Sequence, residues 1–534
     1  MKKIFVFAAM AAIAVQAQAQ DNITLDTYIG AQLATEDLNG TARYVGMGGA
    51  MDALGADIST IGSNPAGIGL FRKSQVSGSF GAVIQQDGKS FQDGSKTSAS
   101  FDQLGFVYSM RSGRQSFLNF AFNYHKSRNF NHVLSAAAKA LNGSSQNRQT
   151  CIKGIRGDLY NGNKPSLSQS MVDYLYEQTG VTSDADGSMF CIDAEDYQFD
   201  RAQTGYIGEY DFNLSGNINN RLYLGLTVGV KSVHYDSYTE YSETLSPISG
   251  DPNMMYVGMS DSHKITGYGY DVKVGAIARP FEESPFRLGV SVSTPTFYKL
   301  TTDNVTGIYD RIGGRVDLVK SEPNDGKFRF NTPWKFDISA GHTIGSNLAL
   351  GLSYEYADYS TCDMRTISGS TSDWDGDYYE DSDSDPIMKR HTQKTLNGVS
   401  TLKAGVEFKP SNNVALRLGY NHVSPIYKED GVRDQTLWSP GVYYASTTHF
   451  VNWKATNRIT AGVGFSFDKF RLDLAYQYST RKGDFYPFMP NLSNEVTFTD
   501  DEGKSQTVVE SNFCDAVSVK DNRHQIQASL TYTF

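Results

Sequence analysis

Long apolar runs, an excess of positive charge and every common catalytic motif are missing from this chain. After its first twenty residues no stretch stays apolar over about 18 positions, which excludes membrane-spanning helices. Mean hydropathy is only -0.40. With 48 Lys and Arg against 58 Asp and Glu, the formal net charge is -10; phosphate binding needs a basic face, so the charge argues against nucleic acid as a partner. There is no Gly-x-Ser-x-Gly elbow, no His-Glu-x-x-His pair and no phosphate-cradling loop. His422 and Ser424 fall near a strand end with no acid partner placed beside them. The acidic stretch from Asp373 to Asp385 lacks EF-hand spacing and reads as a solvated loop. No catalytic residue, metal site or cofactor is expected, and no enzyme.

What is present begins at the two ends. Gln525 to Thr533 alternate polar and apolar and stop on an aromatic, Phe534. A period of two puts one face in oil and one in water. A closing aromatic strand looks like the segment that barrel assembly machinery reads in outer-membrane proteins, so Phe534 is the expected assembly signal and that machinery an expected partner. At the other end, Lys2 and Lys3 precede an apolar stretch from Ile4 to Val15 and then Ala17-Gln18-Ala19. These are the three parts of a signal peptide over residues 1–20, cleaved after Ala19 or Gln20. No cysteine stands at that site, so a lipoprotein is not expected.

Between the ends, apolar residues keep one parity through fourteen segments. Examples are Leu118, Phe120, Phe122 and Tyr124, then Leu222, Leu224, Leu226, Val228 and Val230. The opposite parity is small or polar, and includes Asp211, Lys231, Asp271, Lys273, Arg287, Lys335, Asp337, Lys403, Glu407, Arg417 and Arg458. Six connections are short, such as Ser112-Gly113-Arg114 and Asp468-Lys469, and they alternate strictly with long ones near 127–202, 237–262 and 359–397. That asymmetry belongs to outer-membrane barrels. The expected fold is therefore all-β: a 14-stranded antiparallel transmembrane β-barrel over residues 74–534, in the outer membrane of a Gram-negative bacterium. Its 32 Tyr suit interfacial girdles, and its 50 Gly ease curvature on the lumen side.

Residues 21–73 do not alternate. Gly46-Met47-Gly48-Gly49-Ala50 and, later, Asn64-Pro65-Ala66-Gly67 favour tight turns inside a narrow space. This pairing of Gly-Met-Gly-Gly-Ala with Asn-Pro-Ala-Gly resembles the N-terminal hatch of FadL/TodX-type transporters, and the resemblance extends over hatch, strand count and terminal Phe. It implies a monomeric channel for passive uptake of hydrophobic small molecules, long-chain fatty acids foremost, with outer-membrane lipids and a hydrophobic ligand as partners. It also implies a gating role for Gly46, Gly48, Gly49, Asn64, Pro65, Ala66 and Gly67, and lateral exit of the ligand between strands. A different class remains open: a FadL-like barrel serving a surface or type IX-like secretion complex.

In the long loops, helices are expected from Val133 to Leu141 and from an N-cap at Ser166 through Met171, Tyr174 and Leu175. Apolar clusters at Met254-Met255-Tyr256 and Phe485 to Phe488 are expected to be exposed, and with Met171 and Leu175 are candidate hydrophobic contacts. All four cysteines fall in these loops. Cys151 and Cys191 bracket one of them and are the expected disulfide; Cys362 and Cys514 could pair only where two loops meet.

Overall fold

The computed structural model describes residues 23–534 except 93, 140, 142, 180–190, 247–254, 313–314, 322–323, 373–377, 445–447 and 500–504. The signal segment 1–20, Met254 and the acidic run Asp373–Asp377 lie outside the described residues, as does the Met255 side chain.

Fourteen antiparallel strands close on themselves. They are β1 Gln75–Gln85, β2 Thr97–Arg111, β3 Phe117–Asn129, β4 Ala194–Ile218, β5 Leu222–Leu245, β6 Met255–Ala278 and β7 Arg287–Ser293. The second half comprises β8 Lys335–Ile344, β9 Leu348–Asp358, β10 Gly398–Ser411, β11 Val414–Val423, β12 Thr456–Phe467, β13 Phe470–Tyr486 and β14 Val517–Thr533. Closure is direct: Gln75 of β1 faces Val107 of β2 on one side and Thr533 of β14 on the other. Pairing every backbone donor and acceptor around a ring is what lets strands cross a bilayer at all.

The parity reading holds in three dimensions. Outward positions such as Phe80, Phe212, Val274, Leu418 and Ile526 are more than half exposed, whereas inward Asp211, Lys231, Asp337, Lys403 and Arg417 are buried. A band of naked Leu, Val and Phe around a closed wall is stable only against lipid. Aromatic girdles bound it, with Tyr210, Tyr268, Trp334 and Tyr354 towards one rim and Phe281, Phe467 and Phe470 towards the other.

Two expectations are corrected here. Val133 to Leu141 is not a helix: His132–Lys139 is a strand that continues β3 and pairs with β4, His132 facing Gln203 and Lys139 facing Asp196. A ready-made ladder partner outweighs the helix propensity of three alanines. The expected loop at 237–262 is largely strand as well, because β5 and β6 stay in register up to Leu245 and Met255, far above the membrane band.

A cap closes this end. Helix α1 spans Thr27–Ala34 and α2 Ala42–Gly46, both inside the barrel, while α3 Gln146–Ile155 and α4 Met171–Glu177 lie over its mouth. The start of α4 is Ser170, not Ser166. Ser170 Oγ accepts from the Asp173 amide, and the Asp173 carboxylate accepts from the Ser170 amide, a complete capping box. The Cys151–Cys191 disulfide ties α3 to the returning chain. Cys362 and Cys514 are free thiols.

Candidate functional site

Residues 23–73 pack inside the barrel as a series of short helices and turns, each with its own cap. Asp26 caps α1 by accepting from Ile29 N–H at 2.9 Å, Thr41 caps α2, and Asn64 Oδ1 accepts from Ala66 N–H at 3.1 Å to start a 3₁₀ turn over Pro65–Leu70. Pro65 occupies the first helical position, where its missing N–H costs nothing. Gly48 (φ +65°) and Gly49 (φ +80°) turn the chain sharply after α2 in a region that L side chains avoid.

The barrel wall is shaped to receive this segment. Gly225, Gly275, Gly289, Gly341, Gly351, Gly405 and Gly419 come from seven consecutive strands, β5 to β11, and all face it. A Cβ at Gly225 would stand 2.5 Å from both Pro65 O and Ala66 N; at Gly341 it would stand 3.0 Å from Leu54 N. Gly405 and Gly419 lie equally tight against Met47 and Gly48. This belt brings the Gly46–Gly49 turn and the Asn64–Gly67 turn onto one continuous seat, and all eight of those residues are buried. The sequence alone assigns the inward glycines to curvature; their contacts show close backbone approach instead.

Polar wall residues complete the seat. Ser215 Oγ donates to Pro65 O at 2.8 Å, Ser291 Oγ to Ser63 O at 2.8 Å, Asn119 Nδ2 to Ile68 O at 2.6 Å and Gln527 Nε2 to Gly40 O at 2.7 Å. Buried carbonyls need such partners. Ion pairs join segment to wall as well: Arg43 Nε to Glu407 at 3.0 Å, Glu36 to Lys231 at 2.8 Å and to Lys335 at 2.7 Å, Asp52 to Lys403 at 3.4 Å. Asn64 Nδ2 is buried without a hydrogen-bond partner among the described residues.

His125, Glu209 and Asp211 are grouped closely enough to hold a cation. Lys231 Nζ already lies 3.3 Å from Glu209 and Lys273 Nζ 3.0 Å from Asp211, so the carboxylates are compensated and a metal fits poorly. His422 Nδ1 meets Asn457 Oδ1 at 2.8 Å, and no acid completes a hydrolytic group around Ser424 among the described residues.

Above the segment lies a cavity of about 1100 Å³, counting the space open at its mouth. Its walls include Tyr28, Phe130, Tyr235, Tyr427, Phe450 and Trp453, together with Arg128, Arg201, Arg433, Arg481 and Arg523. A smaller recess below adds Arg458 and Lys126. Across the two, these seven cations face five carboxylates: Asp26, Asp37, Asp102, Asp261 and Asp521. Arg128 binds Asp37 at 2.9 Å and Arg458 approaches the same oxygen at 3.9 Å. Arg481 and Arg523 share Asp521 at 2.8 Å each, and Arg433 is paired with Asp26. Arg201 forms no ion pair among the described residues; its Nη1 donates to His449 Nε2 at 3.1 Å, and its Nε is buried and unpartnered. Burial, then the Arg201 and Arg433 guanidiniums, hold His449 neutral, well below the ordinary histidine range.

Sequence reasoning named only Arg458 of these cations. Arg481 and Arg523 continue the inward parity of β13 and β14 beyond the membrane band, so the signal was present. Arg128 was hidden by a register shift between Lys126 and Arg128, which flips the parity of β3.

The candidate loop residues do not form an exposed groove. Phe485 lies in β13 and is fully buried, as are Phe488 and Leu175, while Met171 is half-buried against the same core; the expected exposure of the Phe485–Phe488 cluster is therefore corrected. Phe485, Leu175 and Met171 pack into one core, which Leu134, Val172, Tyr176, Phe199 and Leu245 complete. Among the candidates whose side chains are described, Tyr256 alone is exposed, on the outer side of β6. Phe534 N–H bonds to Ser74 O at 2.9 Å, which ties the last residue to the start of β1, and its ring is 66% exposed on the lipid side.

No family model matches this chain, and no curated protein does. Among solved structures, a Pseudomonas aeruginosa FadL homologue shares 13% identity over 94% of this chain and 100% of its own, with a TM-score of 0.47. The Ralstonia pickettii toluene transporter TbuX shares 12% over 93% and 99%, at 0.47, and the P. putida toluene transporter TodX 14% over 93% and 99%, at 0.43. Likenesses at TM-scores this low carry no weight, and the fold rests on its own closed register.

Proposed function

We propose that this protein is an outer-membrane channel for passive uptake of hydrophobic small molecules, long-chain fatty acids foremost, with residues 21–73 as a hatch that closes the lumen at rest. One observation supports this above the others: a lipid-facing barrel holds its own N-terminal segment on a belt of glycines directly beneath an aromatic-walled cavity. A ligand collects in that cavity, and movement of the Asn64–Gly67 turn opens the path below it.

Passage straight down the barrel would bring an acyl chain past Glu209, Lys273, Lys403 and Arg417. Each methylene left in such a polar space forfeits about 0.8 kcal/mol. Lateral exit into the bilayer avoids that cost, and is the route we infer. The protein acts as a monomer after insertion by the barrel assembly machinery. Titration of the purified barrel with a fluorescent long-chain fatty acid tests the reading: saturable binding at one site is expected, and absence of binding counts against it.

A further inference from the structure

The cavity above the hatch carries more positive charge than its walls neutralise. Its cations and those of the recess below outnumber the carboxylates lining the two by two, seven against five; Arg128 with Arg458, and Arg481 with Arg523, each divide one aspartate, and Arg201 has no ion pair among the described residues. Burying charge without compensation is costly, and breaking such a balance is more costly still. Arg201 bonds to His449 and lies 6.0 Å over the Phe199 ring, and its Nε has no hydrogen-bond partner among the described residues. The nearest imidazole, His449, accepts from it and so adds no negative charge. Flat faces stand beside these guanidiniums: Arg481 lies 4.1 Å over the Trp453 ring, and Arg433 5.4 Å over Tyr28.

We propose that this cavity selects organic dianions: a flat apolar body held between the aromatic walls, with one acidic group at Arg201 and a second at the Arg128–Arg481 side. The inference rests on the channel reading but replaces fatty acids as its foremost ligand, since a monocarboxylate would neutralise only half of the excess charge. Guanidinium forks suit carboxylate, sulfonate and phosphate oxygens alike.

The full chain in a zwitterionic detergent is titrated with naphthalene-1,5-disulfonate, naphthalene-1-sulfonate and naphthalene, three probes of one body and three charges. The disulfonate should bind about tenfold tighter than the monosulfonate or more, with a preference that shrinks as salt is raised. Arg201→Gln should abolish that preference while naphthalene binding persists. Gln203→Glu, which adds a carboxylate to the same wall at nearly constant shape, should do likewise and decides the matter if Arg201→Gln does not fold. Arg111→Gln, at an exposed turn, serves as the control. Equal binding of disulfonate and monosulfonate by the native protein, or a preference untouched by both variants, overturns the dianion proposal and leaves the channel reading standing if naphthalene still binds. Failure of all three probes overturns both.

Discussion

Replacing Gly225 by alanine should unseat the hatch without harming the barrel. The new Cβ would stand 2.3 Å from Pro65 C and 2.5 Å from Pro65 O and Ala66 N, where ordinary contact begins at 3.4 Å, so the Asn64–Ala66 turn must retreat by about 1.1 Å. All three opposing atoms are backbone, so no side chain can swing away, and the retreat also stretches the bond that Ser215 Oγ, directly across from Gly225 on β4, makes to Pro65 O. Overpacking of this kind costs about 1–3 kcal/mol. At about 2 kcal/mol the seated state loses roughly thirtyfold in weight against the displaced one. The strand gains slightly, because alanine gives up less backbone entropy than glycine on folding. Gly216→Ala is the matched control: it sits in neighbouring β4, and a Cβ there meets nothing within 4 Å. Single-channel recording in planar bilayers, with heat-modifiable migration as the check on the barrel, should show frequent openings for Gly225→Ala and none beyond wild type for Gly216→Ala. Identical closed traces for both variants would refute a hatch seated on the glycine belt.

Asn64→Ala removes the cap of the Pro65–Leu70 turn, worth about 1 kcal/mol, and should raise open probability in the same recordings while the barrel stays folded. Breaking the Cys151–Cys191 link, which closes a separation of 40 residues, should weaken the cap by about 4 kcal/mol in the chain-entropy model, read as faster proteolysis of residues 140–192 after reduction. Lys153→Ala leaves Asp173 buried without its cation and should cost the cap about 3–5 kcal/mol. In the native cap, burial opposes ionisation of Asp173, but Lys153 Nζ at 2.6 Å outweighs it and holds the carboxyl below its ordinary value. A lowered pKa gives stability that is present above the unfolded value of 3.8 and lost as pH falls through the folded one. Cap proteolysis should therefore rise only in strong acid, and a constant rate there would count against the pair.

Strand number and facing were legible because the membrane enforces a strict period of two on every spanning segment: Leu222 to Val230 and Leu348 to Tyr356 could hardly be read otherwise. Legibility failed where that constraint ends. Above the membrane the walls face water outside and protein inside, so Val133 to Leu141 resembles a helix until its ladder partner in β4 is seen. The Phe485 to Phe488 cluster looks exposed because loop sequences do not show that a cap folds back over them. The compact segment before β1 was visible through its glycine and proline turns, but its seat was not. Seven glycines from seven strands become one belt only once the register aligns them, as Gly351 with Gly405 and Gly405 with Gly419. The arginine cavity was hidden in part by the register shift beside Arg128, which a count of alternating residues carries straight past.

Uptake in living cells tests the channel reading most directly. A strain lacking this protein, the same strain carrying it, and the same strain carrying a variant deleted for residues 21–60 would be compared for entry of radiolabelled long-chain fatty acid. Restored uptake with the full chain, and ungated conductance with the deletion, are the expected results. Normal uptake in the strain that lacks the protein, together with no binding of fatty acid by the purified barrel, would contradict the account.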